Sequence, residues 1–323
     1  MKAKNLVRIF ALAAVCLFYL PGTGLAIGQI KYVEDTCSEG CFRLAGNGST
    51  ANIYVDSRDY PGVVRAAGDL QADIKRVTGI EANLTSRKSE LGKNVVIIGT
   101  LGKSKIIDQL AKEGKIETSP IAGKWESFLI TTVKEPVEGT DSALVIAGSD
   151  KRGTIYGIYD LSEQIGVSPW YWWADVPVEH KDSLYVKAGT YIQGPPAVKY
   201  RGIFLNDEGF ALTPWVKEKF GNYNSKFYTK VFELLLRLKA NFMWPAMWNN
   251  AFADDDPLNA KLADEYGIVM GTSHHEPMNR AHQEWQRYGK GPWDYSKNEE
   301  VLRDFWRQGV ERSKDYEIII TLA

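Results

Sequence analysis

The chain has 323 residues, a formal net charge of −1 at neutral pH and 24% charged side chains. So even a balance argues against nucleic acid or an anionic membrane as partner, and the length supports two domains with a sizeable core. Its 10 Trp and 16 Tyr offer ring faces that suit sugars but serve cores equally well.

Lys2, Lys4 and Arg8 precede an apolar run from Ile9 to Leu20, and Pro21-Gly22-Thr23-Gly24-Leu25-Ala26 supplies small residues for cleavage after Ala26. The run is too short to span a bilayer, so residues 1–26 read as a signal peptide. The mature chain is then expected in a periplasm or outside the cell, with no membrane contact. Cys16 leaves with that segment. Cys37 and Cys41 remain, and in an oxidising compartment they are either a local disulfide or two free thiols.

Residues 27–195 read as an α/β domain. Ile53-Tyr54-Val55 is a strand, and Val63 to Val77 an amphipathic helix closed by Gly79. Val95-Val96-Ile97-Ile98-Gly99 is a continuous apolar run, as in a strand covered on both faces. Phe128 to Val133 and Ala143 to Gly148 add two strands, and Thr154 to Ile165 a helix ended by Gly166. No chemistry is evident here: Gly99-Thr100-Leu101-Gly102-Lys103-Ser104 lacks the glycine spacing of a phosphate loop. Trp170-Tyr171-Trp172-Trp173 reads as a wedge against the next domain, with a sugar platform as the alternative. Gly194-Pro195-Pro196 marks a linker.

Residues 196–323 alternate strand and helix four times, which makes a parallel sheet. The strands are Tyr200 to Leu205, Asn241 to Met247, Ile268 to Gly271 and Tyr316 to Leu322; the helices are Lys226 to Ala240, Asp256 to Gly267 and Glu299 to Lys314. Three successive strand ends are polar: Asn206-Asp207-Glu208, Trp248-Asn249-Asn250 and His274-His275-Glu276. In a (β/α)8 barrel the C-terminal strand ends carry the active site, so these residues are read as one rim. Asp207 is the catalytic candidate, with holding a sugar hydroxyl as its alternative role, and Asn206, Glu208, Trp248, Asn249, His274, His275 and Glu276 are substrate-binding candidates. Acids, an indole, amides and imidazoles on one rim suit a sugar better than a phosphate. Neighbours on a strand face opposite ways, so Asp207 and Glu208 are not both expected to reach it. No metal site is assigned: His275-Glu276-Pro277-Met278-Asn279 puts Asn279 where a zinc-binding helix needs its second His, and Pro277 spoils that helix.

Taken together, Tyr200-Arg201-Gly202-Ile203-Phe204-Leu205-Asn206-Asp207-Glu208, Leu238-Lys239-Ala240-Asn241-Phe242-Met243-Trp244-Pro245-Ala246-Met247-Trp248 and His274-His275-Glu276-Pro277-Met278 resemble glycoside hydrolase family 115, the xylan α-1,2-glucuronidases. The likeness extends to Gly153 to Tyr159 and Trp170 to Asp175. It implies an N-terminal α/β domain followed by a (β/α)8 barrel, of which this chain holds the first half, cut after about the fourth strand. It implies release of glucuronic or 4-O-methylglucuronic acid from xylan-type polysaccharide, with inversion and no cofactor. Asp207 and His275 match residues of the family's sugar pocket, and Trp248 lies where its wall would be. An Arg-containing segment and further acidic residues of the family's site have no counterpart here, so this chain alone is expected to be inactive. A homodimer is open for the full-length form. The rival readings are another two-domain glycosidase, of the family 67 or hexosaminidase type, and a glycan-binding fragment without turnover.

Overall fold

The computed structural model describes residues 30–322; the expected signal peptide lies outside them. Residues Val33–Ala323 form one compact unit. Its first strands are β1 (Val33–Glu34), β2 (Phe42–Gly46), β3 (Ser49–Thr50) and β4 (Asn52–Val55). Cys37 and Cys41 are disulfide-bonded ahead of β2, with Cα atoms 5.7 Å apart. Then come α1 (Pro61–Thr78), β5 (Leu84–Thr85), β6 (Asn94–Thr100), α2 (Lys105–Lys112), β7 (Phe128–Lys134), β8 (Ser142–Gly148), α3 (Lys151–Gln164), β9 (Leu184–Val186) and β10 (Thr190–Gln193).

The main sheet has the order β10-β7-β8-β6-β4-β5, parallel from β8 through β5 and antiparallel at β7 and β10. β6 and β8 are buried along almost their whole length, as their unbroken apolar runs require. One face packs Ile97, Leu129 and Val145 with Ile106, Ile107 and Leu110 of α2. α1 and α3 pack together as a second layer. Asp150 caps α3, its Oδ1 accepting from Gly153 N at 2.7 Å. A small antiparallel sheet, β1-β9-β2-β3, completes this part.

The chain continues through β11 (Gly202–Leu205), α4 (Leu212–Phe220), α5 (Ser225–Arg237), β12 (Phe242–Pro245), α6 (Phe252–Asp255), α7 (Leu258–Tyr266), β13 (Val269–Met270), α8 (His282–Tyr288) and α9 (Tyr295–Ser313). β11, β12 and β13 form a parallel sheet in that order. α5 and α7 pack on one another and meet α3 and α1 respectively, so four layers run sheet, helices, helices, sheet. Buried ion pairs hold the two helical layers: Arg237 Nη1 lies 2.8 Å from Asp73 Oδ2, both side chains nearly inaccessible. Glu126, fully buried, accepts from Arg152 Nε, Arg201 Nη2 and Asn241 Nδ2, each at 2.6 Å, and so ties α3 to the entries of β11 and β12. Gly202 is required where it stands, because a Cβ there would overlap the Phe242 carbonyl of the neighbouring strand.

The mixed α/β architecture is as expected. One local expectation changes and another holds. The segment expected as a fourth strand, Tyr316 to Leu322, makes a single parallel bridge from Ile318 to Met270, with Ile319 N donating to Met270 O at 2.9 Å. It is partly exposed, not buried on both faces. Trp170-Tyr171-Trp172-Trp173 does wedge: Trp172 and Trp173 pack on Trp215 at 6.2 and 5.7 Å, and Trp173 Nε1 donates to Lys230 O.

Candidate functional site

Register places the three strand ends side by side. Gly202 pairs with Phe242 and Leu205 with Pro245, while Phe242 pairs with Val269 and Met243 with Met270. The residues beyond these pairs are the three polar segments of the sequence, so the sheet gathers them at one end. Below them, Phe204, Trp244 and Phe242 share a face, with ring centroids 5.6 and 5.1 Å apart. With Thr272, Ser273, His274 and Thr321 they line a concave space of about 600 Å³.

At the end of β11 the side chains divide. Asp207 is fully buried. Its Oδ1 accepts from Trp248 N at 3.0 Å, and its Oδ2 from Met247 N at 3.1 Å and Asn250 Nδ2 at 2.8 Å. Burial pushes its pKa up, against the pull of those donors. Expected to face the sugar, Asp207 instead braces the turn after β12, in which Met247 and Asn249 hold positive φ of 63° and 55°. Asn206 and Glu208 are exposed: Asn206 Nδ2 donates to Glu208 Oε1 at 2.8 Å, and Asn206 Oδ1 accepts from Trp248 Nε1 at 3.2 Å. Trp248 is half exposed and Asn249 lies exposed in the turn. Asn250 belongs to the same strand end but is not among the candidates that sequence supplies; an amide directly after Trp248-Asn249 is the available signal for the brace.

At the end of β13, His274 and His275 are exposed and meet edge to face at 4.7 Å, with the His275 ring 6.3 Å from Trp248. Burial, then the neighbouring His274 and His282, hold the His275 pKa below its ordinary value, so its ring is neutral at neutral pH. Glu276 turns inward, 1% exposed, with Oε1 3.6 Å from His275 Nε2 and Oε2 accepting from His282 N. Burial pushes its pKa up to about 8; Glu284 and Asp207 add to the rise and the His282 N–H opposes it. The structure thus brings Asn206, Glu208, Trp248, His274 and His275 onto one surface, with Asp207 and Glu276 beneath. Among the described residues, no three His, Cys, Asp or Glu form a group able to hold a metal ion, and no helix is long and apolar enough to cross a membrane.

Residues 193–323 match the family model described as Glycosyl hydrolase family 115, and residues 44–161 that of Glycosyl hydrolase family 67 N-terminus. Among solved structures, a family GH115 4-O-methyl-α-glucuronidase with specificity for decorated arabinogalactans is similar at 34% identity and a TM-score of 0.76. The match covers 86% of this chain and 36% of that one. A Streptomyces plicatus β-hexosaminidase reaches 13% identity and a TM-score of 0.43, over 75% of this chain and 44% of that one. A GH138 enzyme targeting pectin rhamnogalacturonan II reaches 14% and 0.44, over 83% and 30%. Likeness at these last two levels is too weak to bear on function. No curated protein matches the chain.

Proposed function

From a chain that belongs to glycosyl hydrolase family 115, we infer a whole protein that removes α-linked glucuronic or 4-O-methylglucuronic acid from a branched polysaccharide, with inversion and no cofactor. The observation that carries this reading is 34% identity to a 4-O-methyl-α-glucuronidase sustained over 86% of the chain. Sequence resemblance points to xylan as the polymer, while that neighbour prefers decorated arabinogalactans; the uronic acid branch is common to both. In this reading Trp248 forms the wall of the sugar pocket. His275, neutral at neutral pH, donates a hydrogen bond to the sugar carboxylate. Asn206 and Glu208 engage hydroxyls, and Asp207 holds the Trp248 turn in place. The N-terminal pattern and the Cys37–Cys41 disulfide support action in a periplasm or outside the cell.

Inverting hydrolysis needs one carboxylic acid at the leaving oxygen and one carboxylate at the attacking water, about 6.5–9.5 Å apart. Asp207 and Glu276 are buried and committed to internal hydrogen bonds, so neither reaches a leaving oxygen or a water on the rim. Glu208 is the one acid these strand ends leave exposed, so on this reading the 323-residue chain binds uronic acid without turning it over. Calorimetric titration with glucuronic acid, xylose and N-acetylglucosamine tests the site, alongside an assay for glucuronic acid released from glucuronoxylan and from a glucuronate-decorated arabinogalactan. Expected are binding of glucuronic acid alone, lost in His275→Ala, and no release. Equal binding of all three sugars, or none of glucuronic acid, would sink the uronate site; release by the pure chain would sink the claim of binding without turnover.

A further inference from the structure

We propose that the same rim carries a second sugar-binding surface, a platform of Trp293, Tyr295 and Trp306 continuous with Trp248 through His275 and His282, which takes neutral main-chain sugars of the polysaccharide. It rests on the reading of the rim as a glycan site and extends it beyond the uronic acid branch.

The platform is fixed to the rim by contacts from two strand ends. At the start of α8, His282 N donates to the Glu276 carboxylate behind β13. At its end, Arg287 Nη1 lies 2.6 Å from both Asp254 Oδ2 and Asp255 Oδ1 in α6, behind β12, and Tyr288 OH donates to Asp254 Oδ2 at 3.0 Å. The helix thus lies across the rim, and the segment leaving it carries Trp293. A row then runs along the rim: Trp248 to His275 at 6.3 Å, His275 Nε2 to Glu276 Oε1 at 3.6 Å with Glu276 Oε2 accepting from His282 N, and His282 to Trp293 at 6.2 Å.

Trp293 is 43% exposed yet held on three sides by rings set nearly perpendicular to it: Trp285 at 5.1 Å, Trp306 at 5.8 Å and Phe305 at 6.0 Å. Tyr295, 49% exposed, lies parallel to Trp306 at 6.1 Å and is tied to Glu299 through its hydroxyl at 2.9 Å. Rigid, half-exposed rings lose little conformational entropy on binding, which favours a recognition surface over idle exposure. The indole N–H of Trp306 is buried without an acceptor among the described residues, so it is the ring and not its polar edge that Trp306 contributes. The charges beside the rings pair with each other, Lys297 with Asp294 at 2.8 Å and Arg303 with Glu299 at 3.1 Å. A patch of ring faces whose neighbouring charges are paired fits the C–H faces of a neutral pyranose chain.

The test uses the 323-residue chain with glucuronoxylan and the glucuronate-decorated arabinogalactan, each intact and stripped of glucuronate, in affinity electrophoresis, and free glucuronic acid in calorimetry. Trp293→Ala is expected to weaken retention by the intact and stripped forms of a polymer alike, by about tenfold for a buttressed Trp anchor, and to leave glucuronic acid binding unchanged. Tyr295→Ala, at an exposed ring, should act in the same direction and guards against a folding defect in the first variant. No retention of the wild-type chain by either polymer, or retention unchanged in both variants, overturns the platform. Retention by stripped polymer that Trp293→Ala abolishes, in a chain blind to glucuronic acid, upholds the platform and removes the uronate site instead. Glucuronic acid binding with no polymer effect does the reverse.

Discussion

A carboxylate that accepts three hydrogen bonds while fully buried is a brace. Asp207→Ala would leave Met247 N, Trp248 N and Asn250 Nδ2 without their acceptor. Unpairing buried donors around a turn with two positive-φ residues should cost about 2–4 kcal/mol, read as a lower urea midpoint together with altered Trp248 fluorescence. An unchanged midpoint would return Asp207 to the substrate side. Glu276 yields a prediction of pH dependence. Its folded pKa, about 8, lies above its ordinary value of 4.5, so the folded state holds the proton more tightly than the unfolded. The stability this contributes is complete below about pH 4.5 and is lost as pH rises through about 8. His275, which faces it, has a lowered pKa, so its contribution is present above about 6.5 and lost as pH falls. The Glu276 slope is therefore cleanest between pH 7 and 8, with His282, Glu284 and Asp207 as its other charged or polar neighbours. Thermal melts across that window should fall for the wild type and stay flat for Glu276→Gln. Parallel melting curves would show that the carboxyl is ionised throughout.

At the scale of elements, sequence is legible wherever periodicity alone decides the structure. β6 and β8 announce themselves as unbroken apolar runs, and α5 by the stripe of Phe227, Val231, Leu234 and Leu235, all buried. α5 begins where Asn224 caps it, accepting from Lys226 N at 3.0 Å. α4 and α8 carry no comparable stripe. α4 buries only Val216 fully and is covered by the Trp172–Trp173 wedge, while α8 is held by Arg287 and by the Glu276 carboxylate. Such tertiary support is invisible to a local pattern. The Tyr316 to Leu322 run has the composition of a strand, but pairing needs a neighbour; among the described residues its ladder is one bridge to Met270, and the rest of its hold comes from irregular bonds such as Met278 N to Thr321 O and Thr321 Oγ1 to Thr272 O. The rim was legible because parallel register must align strand ends. Side-chain direction within it was only half legible: alternation separates Asp207 from Glu208, but sequence does not say which of the two turns inward. The platform around Trp293 was not legible, since it depends on α8 being tied across the rim.

For the whole molecule, the consequence of the three-strand order is an open flank. Among the described residues β11 pairs with β12 alone, and its other edge presents backbone donors and acceptors beside apolar side chains. Ile203 is 38% and Phe204 45% exposed, with Val198 and Phe210 more exposed still on either side. An unpaired strand flanked by apolar groups is a template for another strand, and nothing on this edge works against pairing: it has no inward-pointing charge, bulge or proline. The core formed by the main sheet and the two helical layers does not depend on that edge, so the chain should remain folded while it associates. The 323-residue chain is therefore expected to self-associate at tens of micromolar, with light scattering showing a mass that rises with concentration. Ile203→Lys and Phe204→Lys, which place a charge on each face of the strand, should shift the distribution back to monomer without lowering the melting temperature of the core. A wild-type chain that stays monomeric across this range, or lysine variants that associate just as strongly, would locate the sticky surface elsewhere. The exposed rings of the Trp293 platform would be the next place to look.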